Sequence, residues 1–182
     1  MTTLGTASDE LLAGRAADGD TAAFAVLARR HGPYLRAFAI RLTGSSADAD
    51  DAVQEALISA WRALPGLADR SKVRSWLLSI VSRKATDRIR ARRPSDELDE
   101  ELPDSDDSNS PEERAVAQSR LDALARVLAS LPEGQRQCWL LKEVGGYSYE
   151  EIAEELGLTV AVVRGRLARA RVTVIREMEE WR

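Results

Sequence analysis

Residues 149–171 read Y-E-E-I-A-E-E-L-G-L-T-V-A-V-V-R-G-R-L-A-R-A-R. Ile152, Ala153 and Leu156 share one face of a short helix, and Gly157 follows, where a helix end favours a residue free to adopt positive φ. Thr159 then offers a hydroxyl N-cap for a second helix. In that helix Val163, Leu167, Ala170 and Val174 recur at helical spacing and form an inward stripe. Ala153 is small enough to let the two helices cross closely. Arg164, Arg166, Arg169 and Arg171 take the outward side, and no acid lies between Val160 and Arg176. The pattern predicts a helix-turn-helix whose second helix carries a cationic face suited to the major groove of DNA. An ordinary helical hairpin with a solvated basic face has the same periodicity. On the DNA reading Glu150, Glu151, Glu154 and Glu155 point away from phosphates or meet a protein.

Working outward, the formal net charge of −4 hides an uneven distribution. Residues 1–94 hold 15 Lys/Arg against 10 Asp/Glu, residues 95–114 hold 1 against 10, and residues 115–182 hold 10 of each. The acidity therefore belongs to one short stretch between a basic half and a neutral but polarised half. Cys138 is the single cysteine, which excludes an internal disulfide and suits a reducing compartment. It sits between Gln137 and Trp139 in an apolar helical pattern, so a buried structural thiol is expected. No apolar run approaches the ~18 residues of a membrane span, and no basic-flanked apolar leader opens the chain. A cytoplasmic location without membrane insertion is the expectation.

The remaining periodicity is helical, with no strand-period pattern and no internal repeat. A first helix runs from a Ser8 cap through Ala17. A second starts near Asp20, buries Phe24, Leu27 and Ala28, and is interrupted at His31-Gly32-Pro33. A third covers about 34–42, with Leu35, Phe38, Ala39 and Leu42 at core spacing. Ser46 opens a fourth, with Asp48, Asp50 and Asp51 near its start, where the helix dipole favours anions. It extends to Leu64 and ends at Pro65-Gly66. A fifth spans about 72–93 and stops at Pro94. Residues 94–110 are acidic, aperiodic and rich in serine, the composition of a linker. Ser110-Pro111-Glu112-Glu113 then restarts order as N-cap, first-turn proline and capping-box acid. Helices at about 111–130, 133–143, 149–156 and 160–180 follow. The fold class is all-α, with helical domains over 8–93 and 112–182 joined by the acidic linker 94–111.

Two further stretches carry functional signals. In residues 47–62 Val53, Leu57 and Trp61 mark an inward face, with Ile58 beside it, while Asp48, Asp51 and Glu55 line another face at i, i+3, i+7. These acids read either as a solvated face or as a dock for a basic partner helix; they lack the glycine-turned loop of a calcium site. Residues 74–93 are apolar in their first half, around Trp76, and basic in their second, with six cations against Asp87. Some of these cations complement the helix dipole, but six exceed what a helix end needs, and contact with phosphates explains the surplus. The linker reads as a soluble tether or as an acidic mimic of a phosphate backbone. No catalytic triad, Cys/His pair or metal-ligand set is visible, and His31 reads as a helix-end residue. The chain is expected to be no enzyme by itself and to need no cofactor or metal.

Together these segments resemble the bacterial RNA polymerase sigma factors of the extracytoplasmic-function (group IV) type. D-A-D-D-A-V-Q-E-A-L-I-S-A-W-R (48–62) is similar to their core-binding helix in region 2. S-W-L-L-S-I-V-S-R-K-A-T-D-R-I-R-A-R-R (75–93) is similar to their promoter-melting, −10-reading segment. Residues 131–171 are similar to region 4. The resemblance implies that Asp48, Asp51, Gln54 and Glu55 dock the clamp helices of the polymerase β′ subunit. It places Ala63 and Leu67 near the melted −10 strand, and Ile80, Arg83 and Asp87 around an extruded base. Lys84 and Arg88 would hold backbone phosphates. Arg164, Gly165, Ala168, Arg169 and Arg171 would face the −35 major groove. The implied partners are core RNA polymerase (β′ clamp helices and β flap), promoter DNA and an anti-sigma factor, and the linker would thread toward the polymerase active centre. A self-sufficient helix-turn-helix regulator and a protein-interaction module that antagonises a sigma factor are the competing readings.

Overall fold

The computed structural model describes residues 4–92 and 111–179, with only the backbone described over 111–120. The expected linker, with Arg93 and the Ser110 cap at its ends, lies outside the described residues. The described chain is helical, without strands, and divides into two compact units, Met1–Arg92 and Arg93–Arg182. None of its helices is long and apolar enough to cross a membrane.

In the first unit three of the four described α-helices start on a side-chain cap. The Ser8 hydroxyl accepts from Leu11 N at 3.2 Å and opens α1 (Asp9–Ala17). The Asp20 carboxylate accepts from Ala23 N at 3.0 Å and opens α2 (Thr21–Thr43). Gly44 ends α2 in the left-handed region at φ 71°, and the Ser45 hydroxyl accepts from Asp48 N to open α3 (Ser46–Ala63). Two 3-10 turns, Leu64–Gly66 and Arg70–Lys72, lead into α4 (Val73–Ala91). Helices α2, α3 and α4 pack on one another, and α1 covers α2 and the second 3-10 turn. Leu12, Leu27, Leu35, Leu42, Leu64, Leu77 and Val81 are buried at the centre.

Two expectations are corrected here. The break at His31-Gly32-Pro33 does not occur, because α2 runs unbroken through Pro33. Proline removes one rung of the ladder, but contacts on both sides hold the helix. His31 is buried, with Nε2 2.8 Å from Asp9 Oδ2, and Arg30 pairs with the same carboxylate and donates to Gly5 O at 3.0 Å. Beyond the proline, Leu35, Phe38, Ala39 and Leu42 are all buried. His31 is thus a mid-helix anchor and not a helix end. In α3 the buried stripe is Ala49, Ala52, Val53, Ala56 and Ala60. Leu57 and Trp61 are only half-buried, Trp61 edge-on to Phe24 at 5.2 Å between centroids, and Ile58 is exposed. Alanines suit a helix that must pack against two others at once.

The second unit is organised on α8 (Val160–Met178), against which α5 (Pro111–Ser130), α6 (Glu133–Trp139) and α7 (Tyr149–Leu156) all pack. The helix expected over 133–143 is not α-helical throughout, since Leu140–Val144 form a wider π turn. That turn closes with Gly145 N donating to Leu140 O and Tyr147 N to Leu141 O, and Gly146 takes φ 73°. Leu131, Cys138, Leu141, Ile152, Val163, Leu167 and Ala170 form the core.

Candidate functional site

The alanine stripe of α3 lets α4 lie close, and the charged rims of the two helices meet. Arg88 on α4 reaches Glu55 Oε1 at 2.6 Å, Asp51 Oδ2 at 3.0 Å and Asp48 Oδ1 at 3.9 Å. Lys84 Nζ lies 3.5 Å from Glu55 Oε2. Arg92 pairs with Asp48 Oδ2 and donates to Thr43 O at 2.7 Å, which ties the end of α4 to the start of α3. The Arg88 hydrogen bond holds the Glu55 carboxyl below the usual carboxylate range. Two sets that the sequence separated, the acidic face of α3 and the cations Lys84 and Arg88, are therefore one ladder. Gln54 is exposed beside it. Ile58, 55% exposed, follows Gln54 and Glu55 at i+4 and i+3 and adds an apolar residue to the same face. Sequence reasoning assigned Ile58 no role; its spacing from the acids was the available signal.

On α4, Ile80, Arg83 and Asp87 stand at i, i+3, i+7 and share a face. Ile80 is half-buried, Arg83 and Asp87 are exposed, and Asp87 pairs with Arg90. Behind them Ser82 donates to Leu78 O and Thr86 to Arg83 O, which satisfies two hydroxyls on the buried side. Ala63 is the exposed last residue of α3, and Leu67 is half-buried after the first 3-10 turn, its N–H bonded to Leu64 O at 3.0 Å. The next turn begins with an Asp69 cap that accepts from Ser71 N.

In the second unit a reciprocal capping box fixes the start of α7: Glu151 N donates to Ser148 Oγ, and Ser148 N to Glu151 Oε2. The Ser-x-x-Glu spacing of residues 148–151 is the sequence signal for this box. Gly157, at φ 63°, and the Thr159 cap turn the chain into α8. Val163, Leu167 and Ala170 point inward as the spacing predicts, while Val174 is half-buried. The four arginines of the outward stripe separate. Arg164 and Arg169 are exposed, with Ala168 between them exposed and Gly165 half-buried. Arg166 instead lies over Gly134 of α6 and beside the buried Cys138 thiol, whose pKa burial pushes up and Arg166 draws back. Arg171 is braced by Glu143 Oε1 at 2.7 and 3.0 Å. Lys142 and Arg164 both approach the Tyr149 ring, at 5.0 and 5.6 Å from its centroid, and Lys142 Nζ donates to Tyr147 O. No group of His, Cys, Asp or Glu among the described residues could hold a metal.

Residues 27–94 match the family described as Sigma-70 region 2, and residues 121–174 match Sigma-70, region 4. The chain is 35% identical to the RNA polymerase sigma factor CnrH of Cupriavidus metallidurans, over 90% of this chain and 91% of that protein. It is 36% identical to the ECF RNA polymerase sigma factor SigM of Mycobacterium tuberculosis, over 92% of this chain and 82% of that one. It is 32% identical to the ECF RNA polymerase sigma-E factor of Escherichia coli, over 92% of each. Among solved structures, CnrH in complex with the cytosolic domain of CnrY matches with a TM-score of 0.53 and 31% identity, over 94% of this chain and 97% of that one.

Proposed function

Because the chain belongs to the sigma-70 family of RNA polymerase sigma factors, in its extracytoplasmic-function branch, we propose a division of labour between its two domains. The protein binds core RNA polymerase and directs transcription initiation at specific promoters. The α3 face of Asp48, Asp51, Gln54 and Glu55, with Ile58 as its apolar contact, docks the β′ clamp helices. Ala63, Leu67, Ile80, Arg83 and Asp87 receive the melted −10 strand. Flipping out a base costs a few kcal/mol, which a fitted pocket must recover. Lys84 and Arg88 belong to this −10 region by position, but their charges face the α3 carboxylates. Arg164, Gly165, Ala168 and Arg169 enter the −35 major groove, where an arginine bidentate to guanine contributes ~1–3 kcal/mol of discrimination. Arg171, braced by Glu143, supports the edge of that face, and the second domain also meets the β flap. The chain acts through binding, not as an enzyme on its own.

The observation that carries this reading is a pair of outward charged faces: Asp51 and Glu55 are exposed on α3, and Arg164 and Arg169 are exposed on α8, so the first offers a surface for a basic protein helix and the second one for duplex DNA. An anti-sigma factor that covers either face fits the same scheme, as the CnrH relative solved with CnrY suggests. The test is run-off transcription with purified core polymerase on genomic fragments, with the chain added or omitted. Chain-dependent transcripts from discrete starts support the proposal. Duplex binding by the chain alone without such transcripts points to a self-sufficient regulator, and polymerase binding without transcripts points to an antagonist.

A further inference from the structure

We infer that Arg88 is a positioning residue for the polymerase-docking carboxylates and holds no promoter phosphate; this rests on the docking reading of α3. The exposures divide in that sense. The Arg88 side chain is 28% exposed and engaged by acids, whereas Asp51 is 58% and Glu55 50% exposed. The carboxylates therefore face outward, and the cation lies behind them. Three acids at i, i+3, i+7 on one helix repel one another and sample several rotamers when unpaired. Arg88 draws two of them to one donor group, Lys84 steadies the second oxygen of Glu55, and Arg92 holds Asp48. A basic partner helix then meets carboxylates already in place. Each long side chain that need not be immobilised on binding improves affinity by roughly two- to tenfold. Repulsion between Arg88 and the partner's cations is weaker than the attraction to the carboxylates, because Arg88 lies behind them and therefore farther from the partner. Arg83 shows the opposite situation: it is exposed, makes no ion pair with a described residue, and shares its face with Ile80 and Asp87.

The experiment measures the affinity of the labelled full-length chain for purified core polymerase. It also measures the salt dependence of holoenzyme binding to a promoter fragment obtained by run-off transcription. Arg88→Gln is expected to weaken core binding about fivefold, and Arg88→Lys to recover part of the loss, since lysine keeps the charge but not the two-pronged reach. On a background of Asp51→Asn with Glu55→Gln, adding Arg88→Gln changes core affinity no further. Arg36→Gln, which breaks the exposed pair between Arg36 of α2 and Asp50 of α3, leaves core affinity unchanged. The slope of log K against log salt for promoter binding is the same with Arg88→Gln as without it. The inference is overturned if Arg88→Gln leaves core affinity unchanged or raises it. It is also overturned if the salt slope falls by about one, the signature of a lost phosphate contact. An equal loss on the doubly neutralised background would mark a general structural effect and overturn it as well. Wild-type affinity in the Asp51→Asn, Glu55→Gln chain would instead remove the docking reading itself.

Discussion

Nε2 of His31, in the middle of α2, lies 2.8 Å from Oδ2 of Asp9, in the first turn of α1. The same carboxylate pairs with Arg30, so one acid fastens α1 to α2 through two neighbouring side chains. Asp9→Ala leaves a buried ring nitrogen without its partner. It is expected to destabilise the first domain by ~1–3 kcal/mol. A urea unfolding midpoint equal to that of the wild type would show that the pair holds nothing.

Pro33 is exposed and sits inside α2, where it removes one backbone hydrogen bond. Interior prolines cost a helix ~3 kcal/mol, partly offset by a stiffer unfolded chain. Pro33→Ala is therefore expected to raise the stability of the domain by about 1 kcal/mol. A lowered thermal midpoint would mean that the helix is bent at this point to suit its contacts.

The pH dependence follows from four carboxylates held below their usual range, among them Asp69, on which the Ser71 hydroxyl acts first. In Asp20 the main cause is the Ala23 backbone N–H, with Arg15 next; in Asp50 it is Arg36, and in Glu55 it is Arg88. Their contribution is full above the ordinary carboxylate pKa of about 4. As the pH falls, the unfolded chain takes up protons first, and the contribution is lost down through the lowered native values. The urea midpoint of the first domain should thus be flat near neutrality and drop below about pH 4.5. With Arg88→Gln, Glu55 should titrate closer to its usual value, visible by NMR of its carboxyl carbon.

Cys138 is fully buried, and burial raises its pKa. Alkylation by iodoacetamide at pH 8 should be slower by orders of magnitude in the native protein than in urea, because both exposure and thiolate are suppressed. Native labelling at the unfolded rate would place the thiol at the surface.

The arginines of α8 should separate in function as they do in geometry. Arg164→Ala and Arg169→Ala are expected to weaken −35-dependent initiation by about tenfold each while leaving core binding intact, as for a lost base contact of ~1–3 kcal/mol. Arg171→Ala should change promoter preference less, because its guanidinium already serves Glu143. Asp51→Arg with Glu55→Arg should do the reverse and abolish core binding. Run-off transcription and a direct core-binding assay on the same variants separate the two effects.

Much of the candidate site was legible because it is local. The acidic face of α3 follows from i, i+3, i+7 spacing, and the α7–α8 turn from Gly157 and Thr159. The fates of Arg166 and Arg171 were not legible. Helical spacing places both on the outward half of α8, but α6 and the π turn reach around to meet them, through Gly134 and Glu143. Likewise Leu57 and Trp61 have the hydrophobicity of core residues, yet α2 and α4 close on the stripe of Ala49, Ala52, Ala56 and Ala60.

The sequence by itself determined most of the helices, the Ser8 and Thr159 caps, the two-domain order and the family, since capping, periodicity and charge blocks act over a few residues. Ser8, Asp20, Ser45, Ser148 and Thr159 cap their helices through side chains three residues from the bonded N–H. Only the tertiary structure decided that α2 passes unbroken through Pro33, that His31 is buried on Asp9, and that Arg88 meets Glu55 across 33 residues of chain. Those outcomes depend on where separate helices cross, and that is set by how their side chains pack together and not by the pattern of any one segment.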